Sequence, residues 1–320
     1  MRVKALLSLF VSSALSLCAQ DVVRLGNLKF AHYGAVSYMK ELAPKYRLKI
    51  EERMFAKGID INPAIVAGEI DASAAALDAA IAGRAAGVPI VVVAGFARGG
   101  ARLVVRPDAG IRALKDLKGK KVGVARGGAQ ELLLLAELAK AGLSWSDKPG
   151  KDVLVLYLPF ADLNQALMAK NIDAMCQSEP YSSQAINKKF GVELLKPYDT
   201  PIGEPIRALV ITEKLYKERR DVAQRFLNCF VEATKKFIDE PKTAEKFVRE
   251  VMFKNQISAE DYQDAIGNSP FSYDITLQHV QITTDLMAKY GVGKMANPPK
   301  AGDWVKLDLL TEAKKQLKVK

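Results

Sequence analysis

Residues 60–72 read DINPAIVAGEIDA, and residues 162–174 read DLNQALMAKNIDA, an echo at an offset of 102 residues. In each copy an Asp, Asp60 or Asp162, stands where it can cap a helix. An Ala/Ile/Leu face follows, and Gly68-Glu69 or Lys170-Asn171 ends the helix before Ile-Asp-Ala enters a strand. The first copy follows a strand–turn–helix unit starting near Val22, the second one starting near Lys121. Each half therefore repeats strand, loop, helix, strand, helix, strand, and the chain is expected to form two similar α/β lobes.

Working outward, short apolar runs alternate with helical patterns. The expected strands are Val22–Gly26, Leu48–Arg53, Ala72–Ala74, Ile90–Ala94, Leu103–Arg106, Lys121–Ala125, Val153–Leu158, Ala174–Cys176 and Ala208–Thr212. Helical runs lie near Ala35–Leu42, Ile61–Ala67, Asp78–Ala86, Ala129–Ala141 and Leu163–Lys170. From Lys217 onward the pattern is almost wholly helical. Arg106–Gly110 reads as a turn-rich exit from the first lobe and Asp199–Pro205 as the return. The expected organisation is a discontinuous lobe one, 20–107 and 206–320, and a continuous lobe two, 108–205, with a cleft between them and the crossings as hinge. The helical tail is expected to cover lobe one.

Arg112–Glu131, RALKDLKGKKVGVARGGAQE, carries the chemistry most plainly. An apolar strand stops at Arg126-Gly127-Gly128 and a helix begins at once. Glycine permits backbone angles that other residues avoid. The first N–H groups of the helix have no internal partners and sit at the positive end of its dipole. Together these make a small receptor for an anion or polar group.

The first nineteen residues read as a signal peptide: Arg2 and Lys4 precede an apolar run, Ala5–Leu17, too short to span a bilayer. Cleavage after Ala19 is expected. Leu15-Ser16-Leu17-Cys18 also resembles a lipoprotein signal that would put a lipid on Cys18, although Leu17 stands where that signal wants a small residue. The chain is thus expected to be exported to a periplasm. Its net charge of +11 falls to +9 without Arg2 and Lys4. Export and the scatter of acids among the basic residues argue against nucleic acid, leaving a solvated basic surface or attraction of anionic solutes. Cys176 and Cys229 are too few for a disulfide framework, and buried free thiols are expected. With His32 and His279 the only histidines, a zinc site is not expected.

Ala67-Gly-Glu-Ile-Asp-Ala72, Gly87-Val-Pro-Ile-Val-Val92, Leu114–Gly123, the Gly127-Gly128 turn, Ile172-Asp-Ala174 and Ser178-Glu-Pro-Tyr181 occur in an order that resembles solute-binding proteins of ABC transporters. More narrowly, the chain resembles the nitrate/sulfonate/taurine group and its relatives that bind thiamin-pyrimidine precursors. The resemblance implies a two-lobed periplasmic binding protein fold of type II, each lobe a mixed sheet flanked by helices. It implies a monomer without cofactor, a small solute held in the interlobe cleft, and an inner-membrane permease as partner. That family commonly carries a hydroxyl near the positions of Ala129 and of Ala74–Ala76. Alanine there argues against a sulfonate or nitrate and for a larger organic acid.

The candidate ligand-binding residues follow from these loops. Gly128, Ala129 and Gln130 offer backbone N–H groups. Arg126 is either a carboxylate partner or a solvated loop arginine. Asn27, His32 and Tyr33 follow the first strand, and Ala76 follows the third; Asp78 is read first as a helix cap. Arg98 is either a cleft anion partner or half of a hinge salt bridge. Glu179 is expected to face the cleft, opposite Arg126 or toward the ligand. Lys57-Gly58 is a weaker version of the Gly128 turn. No nucleophile–base constellation stands out, so a receptor is expected rather than an enzyme. The alternatives are a sensory receptor and an enzyme of the pyrimidine-synthase type, whose cysteine-rich motif is lacking here.

Overall fold

The computed structural model describes residues 20–319. The expected signal peptide and Cys18 lie outside these residues. The strands are β1 (Asp21–Leu28), β2 (Leu48–Phe55), β3 (Ala72–Ala76), β4 (Ile90–Arg98), β5 (Ala101–Val105), β6 (Lys121–Val124), β7 (Trp145–Ser146), β8 (Val153–Tyr157), β9 (Ala174–Ser178), β10 (Val192–Leu195) and β11 (Ile206–Thr212). Among the α-helices are α1 (Gly34–Leu42), α2 (Ile61–Val66), α3 (Leu77–Ala85), α4 (Ala129–Lys140), α5 (Phe160–Met168), α6 (Tyr181–Asn187), α7 (Glu213–Glu218) and α8 (Arg220–Asp239). They continue with α9 (Pro241–Lys246), α10 (Ala259–Asn268), α11 (Leu277–Tyr290), α12 (Ala301–Trp304) and α13 (Asp308–Gln316).

Two mixed sheets result, ordered β2-β1-β3-β11-β4 and β10-β5-β9-β6-β8-β7. Reversed, the second reads β8-β6-β9-β5-β10 with β7 added at its edge, and it matches the first strand for strand. In both, the first three members run parallel and the fourth pairs antiparallel with the third. The sequence echo is therefore an architectural repeat.

Its residues do the same work twice. The Arg24 amide donates to Asp71 Oδ2 at 3.0 Å, and the Lys121 amide donates to Asp173 Oδ2 at 2.9 Å. In each lobe the Asp clamps its strand to the neighbouring parallel strand. Gly26 and Gly123 let the helix of each repeat press onto its sheet. A Cβ on Gly26 would lie 2.7 Å from Ile61, and one on Gly123 would lie 2.8 Å from Leu163. Asp60 and Asp162 do not cap their helices. Asp60 makes no side-chain cap bond, and α5 starts before Asp162, from Pro159, whose ring holds φ near the helical value.

The first crossing falls earlier than the expected boundary at 107. β4 ends at Arg98 in the first sheet, and β5 already pairs with β9 and β10 in the second. The turn is Gly99-Gly100, with φ of +65° and +81°, values that glycine tolerates and other residues resist. Arg106–Gly110 thus lies inside lobe two. The return runs between β10 and β11.

The amphipathic helix α8 buries Phe226, Phe230 and Phe237 and packs against α1 and α13. Each such ring contributes roughly 1.5–3 kcal/mol of burial. The tail does more than cover lobe one, because α10 packs on α6 and α11 on α4, both helices of lobe two. Cys176 and Cys229 are buried and free.

Candidate functional site

The parallel strands of both sheets end facing one another, the usual place for a ligand in α/β proteins. The lobes touch there. Phe30, after β1, meets Phe160 at the start of α5 edge-on, with centroids 5.3 Å apart, and Tyr181 at 6.1 Å. Ile59 lies 3.7 Å from where a side chain on Gly127 would begin. At the mouth a cavity of about 270 Å³ is lined by Ala56 and Lys57 of lobe one, and by Ala125, Arg126 and Tyr157–Phe160 of lobe two. The Arg126 guanidinium lies 3.6 Å over the Tyr157 ring and 3.4 Å from Asp147. Lys57 and Arg126 make this entrance basic.

Deeper in, His32, Tyr33, Asp78 and Arg207 are all essentially inaccessible to solvent. Arg207 sits on β11 between two alanines, Ala76 on β3 and Ala97 on β4. Its Nε donates to His32 Nε2 at 3.3 Å. An arginine can only donate, so Nε2 is the acceptor and Nδ1 carries the imidazole hydrogen. Burial, and then the Arg207 charge, hold the His32 pKa well below its ordinary value, so the ring is neutral. Among the described residues, His32 Nδ1, Arg207 Nη1 and both carboxylate oxygens of Asp78 have no hydrogen-bond partner. Burial raises the Asp78 pKa to about 6; Arg207 and the amides of Asp78 and Ala79 pull the other way, and Glu131 adds to the rise. Those amides face the carboxylate from the first turn of α3 without forming well-directed hydrogen bonds. Buried polar atoms are almost always paired, so these four atoms mark a candidate site.

The structure divides the residues expected from the sequence. His32 and Tyr33 lie near Arg207, and Ala76 pairs with it across β3 and β11. Gly128 caps α4, and a Cβ there would stand 3.0 Å from Phe160. Ala129 and Gln130 are buried behind it, with Gln130 Nε2 donating to the Gly100 carbonyl at 3.3 Å. Arg126 stays half-exposed at the mouth.

Three residues are engaged elsewhere. Asn27 donates to Ser37 Oγ at 3.0 Å and Glu52 Oε1 at 2.7 Å, and its own oxygen accepts from the Leu28 amide, so it knits β1 to α1 and β2. Arg98 lies at the crossing, 3.8 Å from Glu204. Glu179 is fully buried and turned from Arg126: it lies 2.9 Å from Arg102 Nε and accepts from Asn268 and Ser183. Its place at the end of β9 is as expected, but Arg102 of β5, Ser183 of α6 and Asn268 of α10 hold it.

Arg207 was missed, and Asp78 was read as a cap. The cap of α3 is Ala76, and Asp78 lies inside the helix's first turn. The signal for Arg207 was a charged residue inside the apolar strand IRALVIT. Among the described residues no group of three or more His, Cys, Asp or Glu could hold a metal ion.

Fold and cleft define a two-lobed binding protein of the periplasmic type. A family model described as the NMT1-like family matches residues 22–251, and the chain belongs to that family. A protein of Brachyspira hyodysenteriae, named as a candidate ABC transporter periplasmic binding protein, is 24% identical over 292 residues, 83% of this chain and 82% of that protein. The nitrate/nitrite binding protein NrtA of a Nostoc species is 26% identical over 165 residues, 50% of this chain and 36% of that protein. Among solved structures, the alkanesulfonate-binding protein SsuA of Xanthomonas axonopodis pv. citri, bound to MOPS, superposes with a TM-score of 0.75 at 19% identity. The match covers 89% of this chain and 98% of that one. The nitrate-binding protein NrtA of Synechocystis gives 0.76 at 17% identity, covering 94% and 90%. These structures share the fold.

Proposed function

We propose that the protein is the solute-binding component of an ABC-type importer, working in a periplasm. It captures a small organic solute with an acidic group between its lobes and delivers it to a membrane permease driven by an ATPase. It acts as a monomer, without cofactor or catalysis. The observation that carries the reading is the buried pair of unpartnered donors, His32 Nδ1 and Arg207 Nη1, at the seam where two matched lobes meet. A fold that sequesters donors there gains little stability from them, whereas a bound anion completes them. Lys57 and Arg126 at the mouth favour the approach of an anion.

A thermal-shift screen over sulfonates, nitrate, aromatic carboxylates, pyrimidines and amino acids tests this. A cleft ligand raises the melting temperature by mass action, and one acidic class should do so while Arg207→Met abolishes the shift. Small-angle scattering at saturation should report the closed form. A flat response to every class, with scattering unchanged, overturns the reading.

A further inference from the structure

The receptor reading above supplies the premise; the polarity of the buried site narrows the solute. Arg207 and neutral His32 offer only donors, Nη1–H and Nδ1–H. Asp78, near enough to feel the Arg207 charge, offers two unpartnered oxygens. Glu131, buried on α4 and accepting from the Gly127 amide at 2.8 Å, makes the surroundings of Asp78 more negative from the opposite lobe. The closed site is therefore dipolar, positive at Arg207 and negative at Asp78. Leu77, Ala129, Leu132 and Leu133 wall a void of about 10 Å³ beside Asp78, room for no more than one water molecule.

A purely anionic solute would complete Arg207 and His32 but bring negative charge toward Asp78 and leave its oxygens unpaired. A solute with an acceptor oxygen group and an N–H-bearing group completes both sides. We infer that the solute is amphoteric, its acidic group held by Arg207 and His32 and its amine or other N–H group held by Asp78, which makes Asp78 the residue that selects it.

Matched pairs decide the matter. Isothermal titration calorimetry on the full exported chain would compare short ω-amino carboxylates and aminobenzoates with the same acids lacking nitrogen. The amphoteric member of at least one pair should bind about tenfold or more tightly than its parent acid. Asp78→Asn should erase most of that preference while retaining binding of the acid, and Arg207→Met should weaken both members. The wild-type pairs are decisive by themselves if either variant fails to fold. Parent acids that bind as well as their amino counterparts overturn the inference and leave the receptor reading standing. No binding by any member, with the thermal-shift screen also flat, overturns both.

Discussion

Two arginines on corresponding strands, Arg102 on β5 and Arg207 on β11, are about equally buried and very differently partnered. Arg102 lies 2.9 Å from Glu179 and 3.3 Å from Glu193, and its terminal nitrogens donate to Asp264 at 2.9 and 2.7 Å. Asn268 and Ser183 complete Glu179. This network ties α10 of the tail to β5 and β9 beside the crossing. Arg207 has one protein partner, His32, and a free terminal nitrogen. The repeat provides the same strand twice; what packs against it separates a closed ion cluster from a candidate site.

Exchange of each arginine for methionine should break the comparison most visibly. Arg102→Met leaves Glu179 buried without its cation, and removing one partner of a buried pair costs about 3–5 kcal/mol. Arg207→Met removes one hydrogen bond, to His32, and the cation that opposes burial of the Asp78 carboxylate, but breaks no direct ion pair, so its unfolding free energy should fall by less than that of Arg102→Met. Urea denaturation of the two variants measures both. Equal losses would mean that Arg207 is structural.

Asp78 sharpens the contrast at the next level. Its folded pKa of about 6 stands above the ordinary 3.8, with burial the largest cause. An acid whose pKa is raised by folding binds its proton more tightly in the native state. Stability contributed by the protonated form is therefore present at low pH and is lost as pH rises from about 4 to about 6. Asp78→Asn removes the cost of the buried charge. The variant should be more stable than wild type by on the order of 2–3 kcal/mol at pH 7, and the gain should vanish near pH 4. Melting temperatures across that range report it, and a gain independent of pH would show that the charge is not the cause. Glu179 has its pKa raised by burial too, but Arg102, Ser183 and Asn268 act against the rise, so Glu179→Gln should bring no comparable stabilisation.

The fold was legible because repeats leave periodic traces. Ile-Asp-Ala before β3 and β9 and the Gly127-Gly128 turn all gave local signals that the packing kept. The short edge strands β7 and β10 were missed, as was α6, since none is long enough to show a period. The first crossing was placed too late because Arg106–Gly110 has stronger turn chemistry than Gly99-Gly100. The candidate site was legible in part. His32, Ala129 and Gly128 follow strands in predictable positions, whereas Arg207 owes its role to a strand that returns from far along the chain. Glu179 carried the right chemistry and the wrong neighbour, because only tertiary packing brings Arg102 and Asn268 beside it.

The smallest expected effect lies where the two copies differ by one backbone requirement. Both α2 and α5 end in the same pattern: Glu69 N–H donates to Ala64 O and Gly68 N–H to Ile65 O, matched by Asn171 to Ala166 and Lys170 to Leu167. Gly68 and Lys170 adopt φ of +72° and +60° in these caps. Glycine accepts that conformation readily; a residue with a Cβ pays about 1–2 kcal/mol for it. Lys170→Gly relieves this strain, but it frees the unfolded backbone and loses an exposed ion pair with Asp108 at 2.7 Å, which is worth little. The net should be a gain of about 0.5 kcal/mol. Gly68→Ala should cost about 1 kcal/mol, because no Cβ contact restrains the new side chain and only its dihedral is at fault. Opposite signs at equivalent positions in urea titrations would confirm that the two caps are one device written with different residues, and equal signs would show that the loops after them set the cap energy instead.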